Sequence, residues 1–236
     1  IVDPDEKVNG QGIAHLKASG VEVEVGVKEA EVRSQLLPYI HHRKTGRPYV
    51  VVKIAMTLDG RIAAPDGSSQ WITGPAAREA GHKLRAYSDA VCVGAETVRL
   101  DNPRLTVRDW THEAGTDINL DPERIVLGQA PDNALVHPCI ELSGEIEEVL
   151  DELGKRGILQ LLVEGGGKTI SRFHDSGCVD RYEIFFAAAF FGGDNAVPML
   201  SGEGSLTMED LWRGEIVELS QLGNDFHVTV RPKLSK

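Results

Sequence analysis

The run Tyr49-Val50-Val51-Val52-Lys53-Ile54-Ala55-Met56 most constrains the fold, because a nearly uninterrupted apolar stretch rich in β-branched residues must be buried. It reads as a strand covered on both faces of a parallel sheet. Thr57-Leu58-Asp59-Gly60 ends it with turn chemistry. Trp71-Ile72-Thr73-Gly74-Pro75 then opens a helix, with Gly74 at the N-cap and Pro75 at the first helical position, where its missing N–H costs nothing. Ala77, Ala80, Leu84 and Tyr87 fall on one face of that helix. Asp89 to Gly94 is a second strand, from which Gly94-Ala95-Glu96-Thr97 turns away. Polar and small residues thus collect after strand ends, where open α/β sheets bind ligands.

Around this centre the rest of the chain arranges itself. Residues 1–46 read as a unit of their own plus a linker: a short helix over Gln11–Ser19 closed by Gly20, an alternating strand Val21, Val23, Val25, Val27, and a linker helix over Ala30–His42. The main domain is 47–236. Within it, Asp109–Glu123 is polar and aperiodic and reads as an exposed loop, and Arg124–Leu127 is a short strand. Ile146, Val149, Leu150 and Leu153 mark an amphipathic helix ended by Gly154 or Gly157. Ile158–Val163 is a further apolar strand running into Glu164-Gly165-Gly166-Gly167, and Lys168–Ser176 is a helix stopped by Gly177. Strand, glycine turn and helix start together form an anion cradle, since free N–H groups and the helix dipole point at the same spot. Val179–Phe191 reads as a long strand, and Glu215–Leu222 with Phe226–Val230 as a closing antiparallel hairpin.

Charge and cysteines exclude several functions. A formal charge of −11 repels nucleic acid and anionic membranes. An anionic small ligand must then be held by local cations, and Lys53, Arg61, Arg85, Arg104, Arg108 and Lys168 lie in or beside the loops above. No apolar run approaches a membrane helix. Cys92, Cys139 and Cys178 are odd in number and widely spaced, which points to reduced thiols and a cytoplasmic location. His137-Pro138-Cys139 lacks the partners of a zinc site, so no metal is expected. Gly167-Lys168-Thr169 lacks the glycine five positions earlier that a phosphate loop needs, position 162 being Leu. Its glycines serve either close helix–strand packing or the phosphates of a cofactor.

Several motifs, taken in order, carry a resemblance. Thr57-Leu58-Asp59-Gly60-Arg61-Ile62-Ala63, Ser69-Gln70-Trp71-Ile72-Thr73, Leu84-Arg85-Ala86, Val93-Gly94-Ala95-Glu96-Thr97, Asp101-Asn102-Pro103-Arg104-Leu105-Thr106-Val107-Arg108 and Val163-Glu164-Gly165-Gly166-Gly167 resemble the reductase domain of the bifunctional riboflavin-biosynthesis deaminase/reductase. The resemblance covers Arg47 to the C-terminus. It implies a dihydrofolate-reductase-like α/β fold, with a mostly parallel central sheet, flanking helices and the antiparallel hairpin, and NADPH-dependent reduction of 5-amino-6-(5-phosphoribosylamino)uracil, a phosphoribosylaminopyrimidine. It also implies cofactor contacts at Ala55, Trp71, Thr97, Asp101, Gly166, Gly167, Lys168, Thr169, Ile170, Ser171 and Arg172, and substrate contacts at Ser69, Arg85, Leu105, Arg108 and Glu164. Asp101 is the carboxylate expected to supply the proton that accompanies hydride.

Arg85 and Arg108 suit phosphate chemically, since a guanidinium grips two oxygens at once; the alternative is a structural pair with Asp89 or Asp109. Glu164 directly follows a buried strand, an expensive place for an unpartnered carboxylate. Asp3–Gly12 resembles the end of the family's deaminase domain, whose zinc and water-activating signature is absent from this sequence. A deaminase domain in a longer protein and a homodimer, paired through the apolar edge of the hairpin, are expected partners. One departure stands out: Gly128-Gln129 follows the strand Arg124–Leu127 where the family usually has Asp-Ser. The rival readings are a dihydrofolate-reductase-like reductase of another pterin or pyrimidine, and a non-catalytic domain that kept the fold.

Overall fold

In the computed structural model, which describes residues 1–108, 110 and 121–233, the chain runs through seventeen elements. They are α1 (Gln11–Ala18), α2 (Glu29–Gln35), α3 (Leu37–Thr45), β1 (Tyr49–Thr57), β2 (Arg61–Ala63), α4 (Pro75–Ala86), β3 (Ala90–Gly94), α5 (Ala95–Asp101), β4 (Glu123–Leu127), β5 (Ile140–Leu142), α6 (Ile146–Lys155), β6 (Gln160–Val163), α7 (Gly167–Asp175), β7 (Arg181–Ala187), β8 (Val197–Pro198), β9 (Gly214–Leu222) and β10 (Asp225–Pro232). Eight strands form one sheet in the order β5-β4-β3-β6-β1-β7-β10-β9. β5 through β7 in that order pair in parallel, and β10 and β9 add an antiparallel edge. This is the dihydrofolate-reductase-like arrangement expected from the sequence.

The alternation of β1 explains why one strand organises both the core and the site. Val50, Val52, Ile54 and Met56 face a cluster completed by Val149, Leu150, Leu153, Ile170 and Phe173 of α6 and α7. Tyr49 and Val51 face the opposite cluster, with Val91, Val93, Val98 and Leu162. The next two residues on that second face are Lys53 and Ala55, where the hydrophobic series stops near the carboxyl end of the strand. At the far edge, β9 leaves Ile216 65% and Leu219 66% exposed.

Several expectations need correction. Val21–Val27 forms no strand; Val21, Val25 and Val27 are exposed, because no neighbouring strand within the described residues offers it hydrogen bonds. The linker is two helices, α2 and α3, since Pro38 in the first turn of α3 cannot donate to a continuing helix. Gly94–Thr97 is the N-cap and first turn of α5. The buried face of α4 runs through Ala77, Gly81 and His82, whereas Tyr87 is exposed beyond its end. β7 stops at Ala187, and Phe190 and Phe191 stand exposed past it. Gly157, at φ 84, ends α6; Gly154 lies inside the helix, where any Cβ would strike the Gly46 carbonyl. Most of the expected Asp109–Glu123 loop lies outside the described residues.

The N-terminal segment is tied to α3. Tyr39 donates its hydroxyl to Asp3 Oδ1 at 2.9 Å, and Arg43 reaches Asp5 Oδ2 at 3.3 Å. α3 in turn buries Ile40, and His42 Nε2 lies 3.0 Å from the Gly154 carbonyl oxygen.

Candidate active site

A cleft of about 750 Å³ opens at the carboxyl ends of β1, β3 and β6, where a parallel sheet places its ligands. Its floor is a buried charge cluster built from three elements. Glu164 is the first residue past β6, and its carboxylate receives Arg85 Nε at 2.5 Å and Arg85 Nη2 at 3.0 Å from α4, a fork-to-fork pair. Lys53 Nζ of β1 stands 3.8 Å from Glu164 Oε2 and 5.9 Å from the Phe185 ring centre. Arg85 also donates from Nη1 to the Thr106 carbonyl at 3.1 Å.

Burial alone would raise the Glu164 carboxyl, but Arg85 and then Lys53 outweigh it and hold the group at about 2. Burial pushes the Lys53 ammonium down, opposed by Glu164 and aided by Arg85. Two cations against one carboxylate leave the cluster with one net positive charge. Arg85 thus pairs with Glu164 and not with Asp89. Asp89 instead accepts the Leu159 and Gln160 N–H groups, and Asp109 lies outside the described residues. Glu164 is equally not the orphan that its position suggests.

Arg108 differs. Its guanidinium donates to Thr106 Oγ1 at 3.0 Å, and no carboxylate among the described residues lies within ion-pair distance. Its backbone N–H reaches His82 Nδ1 at 3.3 Å, and Val107 N–H reaches Asp121 Oδ1 at 2.7 Å, so the strap bearing Arg108 is pinned from two sides. Leu105, with φ 55 and 2% exposure, forms part of the same wall.

The opposite side of the cleft is a glycine-rich cradle. α5 and α7 begin side by side at Gly94 and Gly166, neither with a side-chain cap. Gly166 donates its N–H to Thr97 Oγ1 at 3.3 Å, joining the two helix starts. Thr169 is wedged between strand ends: a Cβ on Gly94 would collide with its Oγ1, and a Cβ on Gly165 would lie 2.6 Å from its Cβ. A Cβ on Gly167 would sit 2.7 Å from the Pro198 carbonyl oxygen. Packing thus accounts for Gly165 and Gly167, while Gly166 opens the helix. Lys168 Nζ reaches Glu96 Oε2 at 3.1 Å across the outer rim, with both side chains largely in water.

Between the two sides stand Asp101, the last residue of α5, and the Ser69–Trp71 segment. Partial burial raises the Asp101 carboxyl above its ordinary value. Asn102 follows at φ 42 and accepts the Leu135 N–H at 2.7 Å, which fixes where α5 ends.

The structure gathers Ala55, Ser69, Trp71, Arg85, Thr97, Asp101, Leu105, Arg108, Glu164 and Gly166–Ile170 around this one cleft. It does not bring in Ser171 or Arg172. Ser171 is buried, donating to the Gly167 carbonyl and accepting the Ser201 N–H, and Arg172 turns out to the Gly144 carbonyl. Arg61 holds the Gly193 and Ala196 carbonyls instead of facing a ligand. Lys53 belongs to the cleft although the resemblance did not place it there; the signal was a lone charge inside an apolar strand. Glu96, Ile62, Val197 and Ser201 also line it, and only the tertiary structure could show that. Among the described residues, His137 and Cys139 join no cluster of metal-ligating type.

A sheet of this order, opening at its carboxyl ends onto a glycine cradle opposite a cationic floor, has the architecture of the dihydrofolate-reductase-like class. The likeness to dihydrofolate reductase of Enterococcus faecalis, at 14% identity and a TM-score of 0.52 over 79% of this chain and 97% of that one, carries the fold alone. The model of the RibD C-terminal domain matches residues 48–228, and the chain belongs to that family, the reductase domain of riboflavin biosynthesis. It is 32% identical to the riboflavin biosynthesis protein RibD of Bacillus amyloliquefaciens over 100% of its own length and 71% of that protein's. Acinetobacter baumannii RibD superposes with a TM-score of 0.91 at 30% identity, covering 99% of this chain and 71% of that one. A Thermotoga maritima structure described as a diaminohydroxyphosphoribosylaminopyrimidine deaminase/5-amino-6-(5-phosphoribosylamino)uracil reductase matches at 30% identity and a TM-score of 0.77, covering 96% and 68%.

Proposed function

We propose that the chain reduces 5-amino-6-(5-phosphoribosylamino)uracil to its ribitylamino product with NADPH. The observation that carries this is the facing of two unlike walls across one cleft, an uncapped pair of helix starts opposite a cationic floor, in a chain of this family. At the start of α7 the Thr169 N–H turns back to the Gly166 carbonyl at 3.0 Å, and the N–H groups of Gly167 and Lys168, ahead of the first helical hydrogen bond, suit an anionic cofactor. Gly166, Gly167, Lys168, Thr169, Ile170, Thr97, Ala55 and Trp71 would hold it, and when bound it supplies hydride.

The chain's own residues position and protonate. Arg108, with no carboxylate within ion-pair distance among the described residues, takes the substrate phosphate bidentately. Arg85 holds Glu164 ionised and aimed at the cleft, so that Glu164 accepts hydrogen bonds from the substrate's N–H or hydroxyl groups. Ser69 adds a hydroxyl and Leu105 an apolar wall. The net positive charge on the floor favours a dianionic ligand. Asp101, its carboxyl kept protonated to higher pH by partial burial, donates the proton that reduction of an imine-like carbon requires.

NADPH is preferred over NADH, by a reduced margin. Gly128 adopts φ 103 at the end of β4, and a Cβ there would lie 3.1 Å from Ala95 Cβ, so the family's Asp would be strained here, and Gln129 stands exposed where serine is usual. Residues 1–46 are the end of a deaminase domain plus linker, a reading supported by the match to Bacillus RibD, which takes in these residues with the rest of the chain, and by the family model starting at 48. The exposed β9 edge supports a homodimer, and the free thiols of Cys92, Cys139 and Cys178 a cytoplasmic setting. An NADPH-oxidation assay with the deaminated and the undeaminated pyrimidine tests the central reading. Turnover of the uracil is expected; no turnover of either pyrimidine, or turnover of dihydrofolate instead, would overturn it.

A further inference from the structure

The Ser69–Thr73 segment brings Ser69 and Trp71 to the cleft, yet Trp71 is 70% exposed, so packing alone does not fix it. Two residues from other elements grip it. Arg78 of α4 lays its guanidinium over the Trp71 ring, 4.8 Å from the centroid, and donates from Nη1 to the Thr73 carbonyl at 2.9 Å. Asp225, the first residue of β10 and 6% exposed, accepts the Gly74 N–H on Oδ2 at 2.6 Å.

That second contact satisfies the N–H of the N-cap residue itself. Gly74 is the N-cap of α4 and has no side chain to turn back on the helix; the carboxylate that meets its N–H comes from 151 residues later. A Cβ at position 74 would stand 3.3 Å from Asp225 Oδ2, so glycine is what lets the carboxylate come this close. Both grips act on one peptide group, Thr73–Gly74, where the segment meets α4: Arg78 holds its carbonyl and Asp225 its N–H.

We propose that Asp225 and Arg78 are positioning residues of the reductase site, holding the Ser69–Thr73 segment so that Trp71 is already in place when the nicotinamide cofactor binds. This rests on the cofactor reading above. Without the anchors the segment must be ordered at the moment of binding, a cost on the order of one immobilised side chain, which corresponds to roughly tenfold in affinity.

The test is direct NADPH titration of the full 236-residue chain, comparing the parent, Asp225→Ala, Asp225→Asn, Arg78→Ala and Arg78→Lys, each also combined with Trp71→Ala. We expect Asp225→Ala and Arg78→Ala to raise the dissociation constant about tenfold. Asp225→Asn, which keeps an acceptor, should recover most of that loss, and Arg78→Lys part of it. With Trp71 removed, the anchor substitutions should cost little more, because they act through the ring. Should Asp225→Ala fail to fold, Arg78→Ala and Asp225→Asn carry the same comparison. Unchanged affinity, or the same loss with and without Trp71, would overturn the anchoring while leaving the cofactor reading intact. A parent chain that does not bind NADPH would overturn both.

Discussion

The two walls of the cleft hold charge in opposite ways. The floor of Lys53, Arg85 and Glu164 uses full charges locked to one another in a buried place, with the Arg85 and Glu164 side chains 16% and 10% exposed. The cradle of Gly94–Thr97 and Gly165–Thr169 uses backbone N–H groups, one threonine hydroxyl, and a single ion pair left in water. A buried charged group has to be compensated whether or not a ligand is present, so the floor is pre-set at the cost of desolvation. Helix starts carry their partial charge for free and need only space, which the glycines provide. The floor should therefore be sensitive to charge and tolerant of small volume changes, and the cradle the reverse.

Four substitutions in the two walls and one between them test that contrast, beginning with the largest effect. Asp101→Asn keeps shape but removes the proton, and turnover should fall about 10²–10⁴-fold with NADPH affinity little changed. Because the acid must be protonated to act, parent turnover should decline as pH rises through the raised Asp101 value, a limb absent from the variant's profile. Parent-like turnover and pH profile would assign the proton to water.

Glu164→Ala strands two buried cations and should cost about 3–5 kcal/mol of stability, read by urea titration. The sign of the pH effect follows from its lowered carboxyl: the Glu164 contribution is present above its ordinary value of 4.5 and is lost as pH falls toward about 2. The gap between parent and variant stability should thus narrow in acid; a gap independent of pH would mean that the floor does not work through charge.

Arg108→Ala should raise the Michaelis constant for the phosphorylated substrate roughly ten- to a hundredfold, the loss of one charge-assisted contact worth about 1.5–3 kcal/mol. NADPH affinity should stay put. Equal weakening of both ligands would show that the strap serves the whole cleft. Gly165→Ala adds one methyl against Thr169 and should cost about 1–3 kcal/mol in overpacking, visible as weaker NADPH binding with an unchanged substrate constant. Smallest of all, Glu96→Gln frees Lys168 from an exposed pair worth about 0.2–1 kcal/mol and should tighten NADPH by a few-fold, an effect that fades in high salt.

How far the site was legible depends on which force placed each residue. Ala55, Thr97, Asp101 and Gly166–Ile170 were implied by the family resemblance, and the cleft collects all of them, from β1, from α5 and from the start of α7. Ser171 and Arg172 were named because a continuous run was carried over, but a helix turns 100° per residue and its later positions face away from the ligand end. The partnership of Arg85 with Glu164 joins residues 79 positions apart and leaves no trace in spacing. Lys53 was legible as one of the local cations beside the loops, a charge inside an apolar strand, but its approach to Glu164 was not.

What the sequence by itself determined is the sheet: β1, β3, β6 and the closing hairpin are written in apolar runs and alternation, because a strand's burial is decided by its own side chains. Glycine and proline likewise marked the starts of α4 and α7 and the end of α6. The tertiary structure alone decided which opposite charges meet, that the Gly74 N–H ahead of Pro75 is taken by Asp225, that Val21–Val27 finds no partner strand among the described residues, and that two short strands, β2 and β8, pair to close one flank of the cleft. Those outcomes depend on the distance between residues remote in the chain, and that distance is set by packing the whole sheet and its helices together.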